Sequence, residues 1–168
     1  MLYFAYGSNM SSIRLRQRTP SAEFIAVANL VAHQLRFHKL GGDGSAKCDA
    51  FHSGNPVHRV IGAVFDVARD EIRSLDEVEG LGRGYAKKNV LLATDTHGPM
   101  EAFTYYATIT RATLAPFHWY KEHVLRGCIE HALPPHYVAP IHRIPSVPDP
   151  DAHRAEREAA IYRQLHDR

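Results

Sequence analysis

The sequence predicts an α+β fold. Strand-like stretches dominate its first two thirds and helical patterns its last third, so the two kinds of element are segregated, not alternating. A hydrophobic fraction of 45% beside 23% charged residues over 168 positions is enough to build a core without disulfide or metal staples. No repeat or linker divides the chain, so one domain over 1–168 is expected, with a helical tail from about residue 145.

The elements follow in order. Residues 2–6, Leu-Tyr-Phe-Ala-Tyr, are strand formers directly behind the first methionine, and a chain without a leader is expected. They end in Gly7-Ser8-Asn9, where Gly7 permits a positive φ or a close backbone approach and Ser8 and Asn9 are placed to cap a following helix. A strand opening through glycine onto a helix start can cradle an oxyanion or carboxylate, but it is also a common way to end a strand. Residues 11–18 read as a short basic helix that Pro20 stops. Residues 22–30 and 31–39 carry β-branched and apolar residues without a helical period, which predicts two strands or one long bent strand. Four glycines and several small polar residues mark 41–56 as a long loop.

Residues 60–67 form a buried strand pattern, and 69–79 a helix that Gly80 closes in the left-handed C′ position. Residues 84–94 and 99–108 pair as a hairpin, with Phe103 and Tyr105 on one face and Thr104 and Tyr106 on the other. Pro116 suits the first turn of a helix running to residue 132, ahead of Pro134-Pro135. A proline-rich bend at 145–150 then leads into a charged helix over 151–165.

Composition excludes several classes of function. A net charge of +2 without a basic run does not point to nucleic acid. The twelve histidines are scattered, and no zinc-type spacing is present, so a metal site is not expected. No apolar stretch has membrane-spanning length. Cys48 and Cys128, eighty residues apart, read as free thiols of a cytoplasmic protein. Its expected state is monomer or homodimer, and the lone Trp119 falls off the apolar stripe of its helix.

Glu79 is the most informative single residue. At about 100° per residue, the apolar stripe of its helix centres on Leu75, and Glu79 falls about 40° from that centre. It also sits in the last turn, where a negative charge opposes the helix dipole. Burial and dipole together disfavour its ionised form, which suits a carboxyl group to general acid–base work. An ion pair with Arg83, Lys87 or Lys88 accounts for the pattern equally well. Tyr120 lies at the edge of the stripe on its helix, placed to pack its ring and offer its hydroxyl to a pocket or to solvent. Ser8 lacks the G-x-S-x-G context of a nucleophile and has no base beside it.

Tyr3-Phe4-Ala5-Tyr6-Gly7-Ser8-Asn9 resembles the N-terminal substrate loop of the γ-glutamylcyclotransferase family. Leu75-Asp76-Glu77-Val78-Glu79-Gly80 resembles its second motif, followed by Gly84-Tyr85, and His118-Trp119-Tyr120-Lys121 resembles its C-terminal part. The resemblance implies a small mixed β-barrel flanked by helices. It also implies cofactor-independent cyclisation of a small γ-glutamyl substrate to 5-oxoproline with release of an amine. Glu79 would then be the catalytic base and acid. Tyr3, Phe4, Ala5, Tyr6, Gly7, Ser8, Asn9, Tyr85 and Tyr120 would bind substrate. The opening loop fits enzymes acting on γ-glutamyl amino acids better than glutathione-specific ones, and Lys47, Cys48, Asp49 and Phe51 are expected along the leaving-amine side. A binding module without turnover and a hydrolase releasing glutamate are the alternatives.

Overall fold

The computed structural model describes residues 1–163. β1 (Leu2–Ala5) lies at the centre of a five-stranded sheet. β2 (Glu23–Val31) follows after a 3-10 turn at Ser8–Met10 and the short helix α1 (Ser12–Arg16). Neither Ser8 nor Asn9 caps α1 as expected; Ser11 occupies the N-cap without a side-chain bond, and the Asn9 amide is committed elsewhere.

Ala32, at φ 60°, breaks the chain between β2 and β3 (His33–Leu40), so the segment forms two strands and not one long bent strand. The predicted long loop is a misreading in its middle. β4 (Ala46–His52) runs antiparallel to β3 as a separate ribbon, with Leu40 opposite Ala46 and His33 opposite His52. Its interior side chains are small: Ala46, Cys48 and Ala50 are all buried. Such residues read compositionally as loop, and it is their pairing with β3 that makes them a strand.

β5 (Arg59–Asp66), the helix α2 (Ile72–Glu79) and the hairpin β6 (Tyr85–Leu92)–β7 (Met100–Ala107) match expectation. Gly80 takes φ 74° at the end of α2. In the main sheet the order is β2-β5-β1-β7-β6. β1 is antiparallel to β5 and parallel to β7, with Tyr3 opposite Phe65 on one side and Phe103 on the other. The edges β2 and β6 curl toward each other and meet at one bridge, where Asn29 and Ala93 exchange N–H···O bonds of 2.8 and 3.0 Å. The barrel is therefore open along the rest of that seam, because sheet twist brings the two edges together at one corner only.

α3 (His118–Glu130) starts two residues later than Pro116 predicted. Phe117 is extended and bridged to Val147, whose N–H and C=O pair with Pro116 and His118. α4 (Pro135–Arg143) was not expected: Pro135 opens a helix at its first position, where a missing N–H costs nothing. α5 (Ala152–Ala160) is capped by Asp151, which accepts from the Arg154 N–H; the last residues of its predicted span, 164 and 165, lie outside the described residues. Phe4, Met10, Phe65, Leu75 and Val124 are fully buried where sheet, α2 and α3 meet. Gly127 lets α3 press directly on the Ser8–Met10 turn, since a Cβ there would lie 2.4 Å from Met10 Cβ.

Candidate active site

The end of β1, the 3-10 turn, the end of α2 and the β3–β4 ribbon line a small, partly open pocket. Tyr3, Tyr6, Gly7, Ser8 and Asn9 form one wall; Glu79, Tyr85, Tyr120, Cys48 and Tyr105 form the rest. Of the residues expected to bind substrate, Phe4 and Ala5 are not brought here. Both are fully buried in the sheet, and the Phe4 carbonyl is held by Thr104.

Five tyrosine hydroxyls hold this pocket together. Asn9 Nδ2 donates to Tyr3 Oη at 3.0 Å, and Tyr6 Oη donates to the Tyr105 carbonyl at 2.6 Å. Tyr85 and Tyr120 grip the two ends of one residue: Tyr85 Oη donates to the Cys48 carbonyl, and the Cys48 N–H donates to Tyr120 Oη at 2.9 Å. Tyr105 Oη donates to Asp76 at 2.6 Å. Burial raises the pKa of each of these phenols, so all are neutral donors at ordinary pH. Burial likewise pushes the Cys48 thiol up, which removes it as a thiolate nucleophile. Gly7 is needed for space, not for φ, which is −115°. A Cβ there would meet Cys48 Cβ at 3.0 Å and Tyr120 Oη at 3.2 Å.

Glu79 Oε1 accepts from Asn9 Nδ2 at 2.8 Å and Arg18 Nη1 at 3.0 Å, and Arg18 Nη1 also donates to Asn9 Oδ1 at 2.7 Å. The partner of Glu79 is thus Arg18, not Arg83, Lys87 or Lys88. Lys87 is taken by Asp76, Lys88 faces His33, and Arg83 reaches only the Glu77 carbonyl. Glu79 Oε2 has no donor among the described residues.

Adjoining the pocket, and sharing Ser8, Glu79, Tyr85 and Tyr120 with it, lies an open vestibule. Its cations are Arg14, Arg18, Lys39 and Lys47, and Trp119 lines it too. Behind it, Arg14 pairs with Glu158 of α5, and His123 Nε2 lies 2.9 Å from both Arg14 Nη1 and Glu158 Oε2, with Nδ1 against Tyr162 Oη. Of the four residues expected on the leaving-amine side, Lys47 and Cys48 reach the site. Asp49 instead accepts from the Ala107 N–H, and Phe51 packs under Arg36. Arg18, Lys39 and Tyr105 were not foreseen; Tyr105 alone left a trace, as an inward position on a strand with Phe103. Among the described residues, no cluster of three His, Cys, Asp or Glu side chains is placed to hold a metal ion.

A family model described as AIG2-like matches residues 59–141. The human protein named γ-glutamylcyclotransferase is 34% identical over 143 residues, covering 81% of this chain and 74% of its own. This chain belongs to the γ-glutamylcyclotransferase family. The mouse γ-glutamylcyclotransferase is 33% identical over the same shares of both chains. A solved structure titled γ-glutamyl cyclotransferase superposes with a TM-score of 0.79 at 30% identity, covering 87% of this chain and 88% of that one. YkqA from Bacillus subtilis, at 20% identity and a TM-score of 0.73 over 56% of its length, shares the fold. The tyrosine-lined pocket around Glu79 is thus described in a chain of γ-glutamylcyclotransferase family and fold.

Proposed function

We propose that this protein is an enzyme that cyclises a small γ-glutamyl compound, releasing 5-oxoproline and a free amine, and that Glu79 moves the proton. The observation that carries this is the division of labour on the Glu79 carboxylate. Glu79 lines the pocket; its Oε1 is anchored by Asn9 and Arg18, while Oε2 has no donor among the described residues. An anchored carboxylate with one unused oxygen is what a general base requires.

The substrate's own α-amino group is the nucleophile. Glu79 Oε2 takes a proton from it as the nitrogen attacks the γ-carbonyl carbon, and returns the proton to the departing nitrogen as the amide bond breaks. The N–H groups of Ser8 and Asn9, which have no main-chain acceptor among the described residues, receive the developing oxyanion. Tyr3 and Tyr120, whose hydroxyls only accept in the bonds described, supply donors without adding charge, while the protons of Tyr6, Tyr85 and Tyr105 go to protein acceptors. The pocket also holds the glutamyl chain folded, and such intramolecular alignment is worth effective molarities on the order of 10⁵–10⁸ M. No protein nucleophile is needed, in keeping with a Cys48 thiol that burial keeps protonated. We further propose that the chain works as a single domain in the cytoplasm; among the described residues no helix is long and apolar enough to cross a membrane.

The test is mass-spectrometric product analysis with γ-glutamyl amino acids and amines. Release of 5-oxoproline is expected, with Glu79→Gln lowering kcat by about 10²–10⁴-fold. Glutamate as product would make the protein a hydrolase, and binding without any product a non-catalytic module.

A further inference from the structure

We propose that Lys39 is the specificity-determining residue that receives the carboxylate of the leaving amino acid, making γ-glutamyl amino acids better substrates than γ-glutamyl amines. This rests on the cyclotransferase reading and assigns the part of the site that lies beyond the scissile bond.

The charges of the vestibule carry it. Four cations line the space next to Glu79, and three are already matched. Arg18 is paired with Glu79 at 3.0 Å, Lys47 with Asp43 at 2.7 Å, and Arg14 with Glu158. Lys39 has neither a carboxylate within ion-pair distance nor a hydrogen-bond acceptor among the described residues. It is nonetheless only 6% exposed, with Nζ held 4.3 Å over the ring of Tyr85. Burial lowers the pKa of this ammonium, and the Glu79 and Asp43 carboxylates act on it only from beyond ion-pair distance, so it gains from an anion brought to it. The vestibule therefore carries one cation more than its paired anions, which is what one carboxylate needs.

Its position is also built in. Gly84 stands where a Cβ would come within 3.1 Å of Lys39 Cε and 3.4 Å of Nζ, so the turn before β6 leaves the side chain its channel. Tyr85 lines both the inner pocket and the vestibule. An amide bond seated beside Glu79 in the inner pocket has its leaving side directed outward across this ring. A carboxylate one carbon beyond the leaving nitrogen falls in the vestibule, where Lys39 is the unmatched cation.

The experiment compares 5-oxoproline release from γ-glutamyl-alanine and γ-glutamyl-alaninamide, which differ only in that carboxylate. Loss of a charge-assisted hydrogen bond predicts that Lys39→Met lowers kcat/KM for γ-glutamyl-alanine by about tenfold to a hundredfold, with the amide substrate changed by less than about threefold. Lys39→Arg keeps the charge and is expected to recover much of the discrimination. A parallel fall for both substrates assigns Lys39 a structural role and overturns the proposal, as does a fall for neither. If the wild-type protein releases no 5-oxoproline from either compound, the cyclotransferase reading falls and this assignment falls with it.

Discussion

Gly127→Ala pits helix propensity against the packing that holds the site. Gly127 lies inside α3, where replacing glycine by alanine ordinarily stabilises by about 1 kcal/mol. Here the added Cβ would stand 2.4 Å from Met10 Cβ and 2.8 Å from both the Met10 carbonyl carbon and the Ser11 nitrogen. Relief requires α3 and the Ser8–Met10 turn to part by about 1 Å, and two of the three obstructing atoms are backbone, so no rotamer change can provide it. Overpacking of this kind costs about 1–3 kcal/mol, leaving a net loss of up to about 2 kcal/mol and a fall in Tm of several degrees. The functional consequence is larger. Ser8 and Asn9 travel with the turn, and Asn9 also anchors Glu79, so a shift of about 1 Å predicts a loss in kcat/KM of about 10²-fold. Calorimetry and 5-oxoproline release on the same preparation measure both effects. A variant that melts a few degrees higher and turns over normally would show that propensity, not packing, governs this position, and would refute the claim that α3 positions the loop.

Two further outcomes follow from groups around the site. Tyr120→Phe removes the acceptor of the buried Cys48 N–H and is expected to cost about 1–3 kcal/mol; denaturant unfolding measures it, and an unchanged midpoint would mean that the β4 backbone finds another partner. The wild-type protein is expected to lose stability as pH falls from about 6.5 to about 4, because burial lowers the His123 pKa to about 4 and the unfolded chain binds that proton first. The shift corresponds to on the order of 3 kcal/mol. Below about 4.5 the loss continues as the Glu158 carboxylate, held down to about 2 by His123 and Arg14, is protonated preferentially in the unfolded chain. Thermal melts across this range should show the first limb flattened in His123→Leu; an unaltered slope would place the titration elsewhere.

What could be read from the sequence was whatever a local pattern carries. The helical period around Leu75 exposed Glu79 as a carboxylate on the wrong face, and Gly80 marked the end of its helix. Gly7-Ser8-Asn9 was legible as a strand end but not as a cradle until Glu79 gave it a chemical partner. The misses have a common cause in tertiary pairing. Ala46, Cys48 and Ala50 form a strand only because β3 lies beside them. Arg18 sits among surface-like basic residues, and nothing within its own segment says that its guanidinium crosses to α2. Lys39 looks like one more strand-end lysine until Arg18, Lys47 and Arg14 are each seen to be neutralised. Pro134-Pro135 has two opposite uses, stopping one helix and starting another, and here it starts α4, four residues after α3 has ended at Glu130.

The placement of Glu79 depends on an anchor one turn earlier in α2. Asp76 accepts from Tyr105 Oη of β7 at 2.6 Å and from Lys87 Nζ of β6 at 2.8 Å. Those bonds fix the rotation of a helix of only eight residues against the hairpin, and rotation is the freedom that would swing Glu79 out of the pocket. Tyr105 meanwhile receives the Tyr6 hydroxyl on its carbonyl, so the same residue ties the end of β1 to α2. The parallel pairing of β1 with β7 is what makes this geometry available, since it sends both strands toward the site in the same direction. The base and the loop that binds the oxyanion are thus held in register by one tyrosine that touches both supports, and the opening segment of the chain reaches its chemical partner, about seventy residues on, through the middle of the sheet.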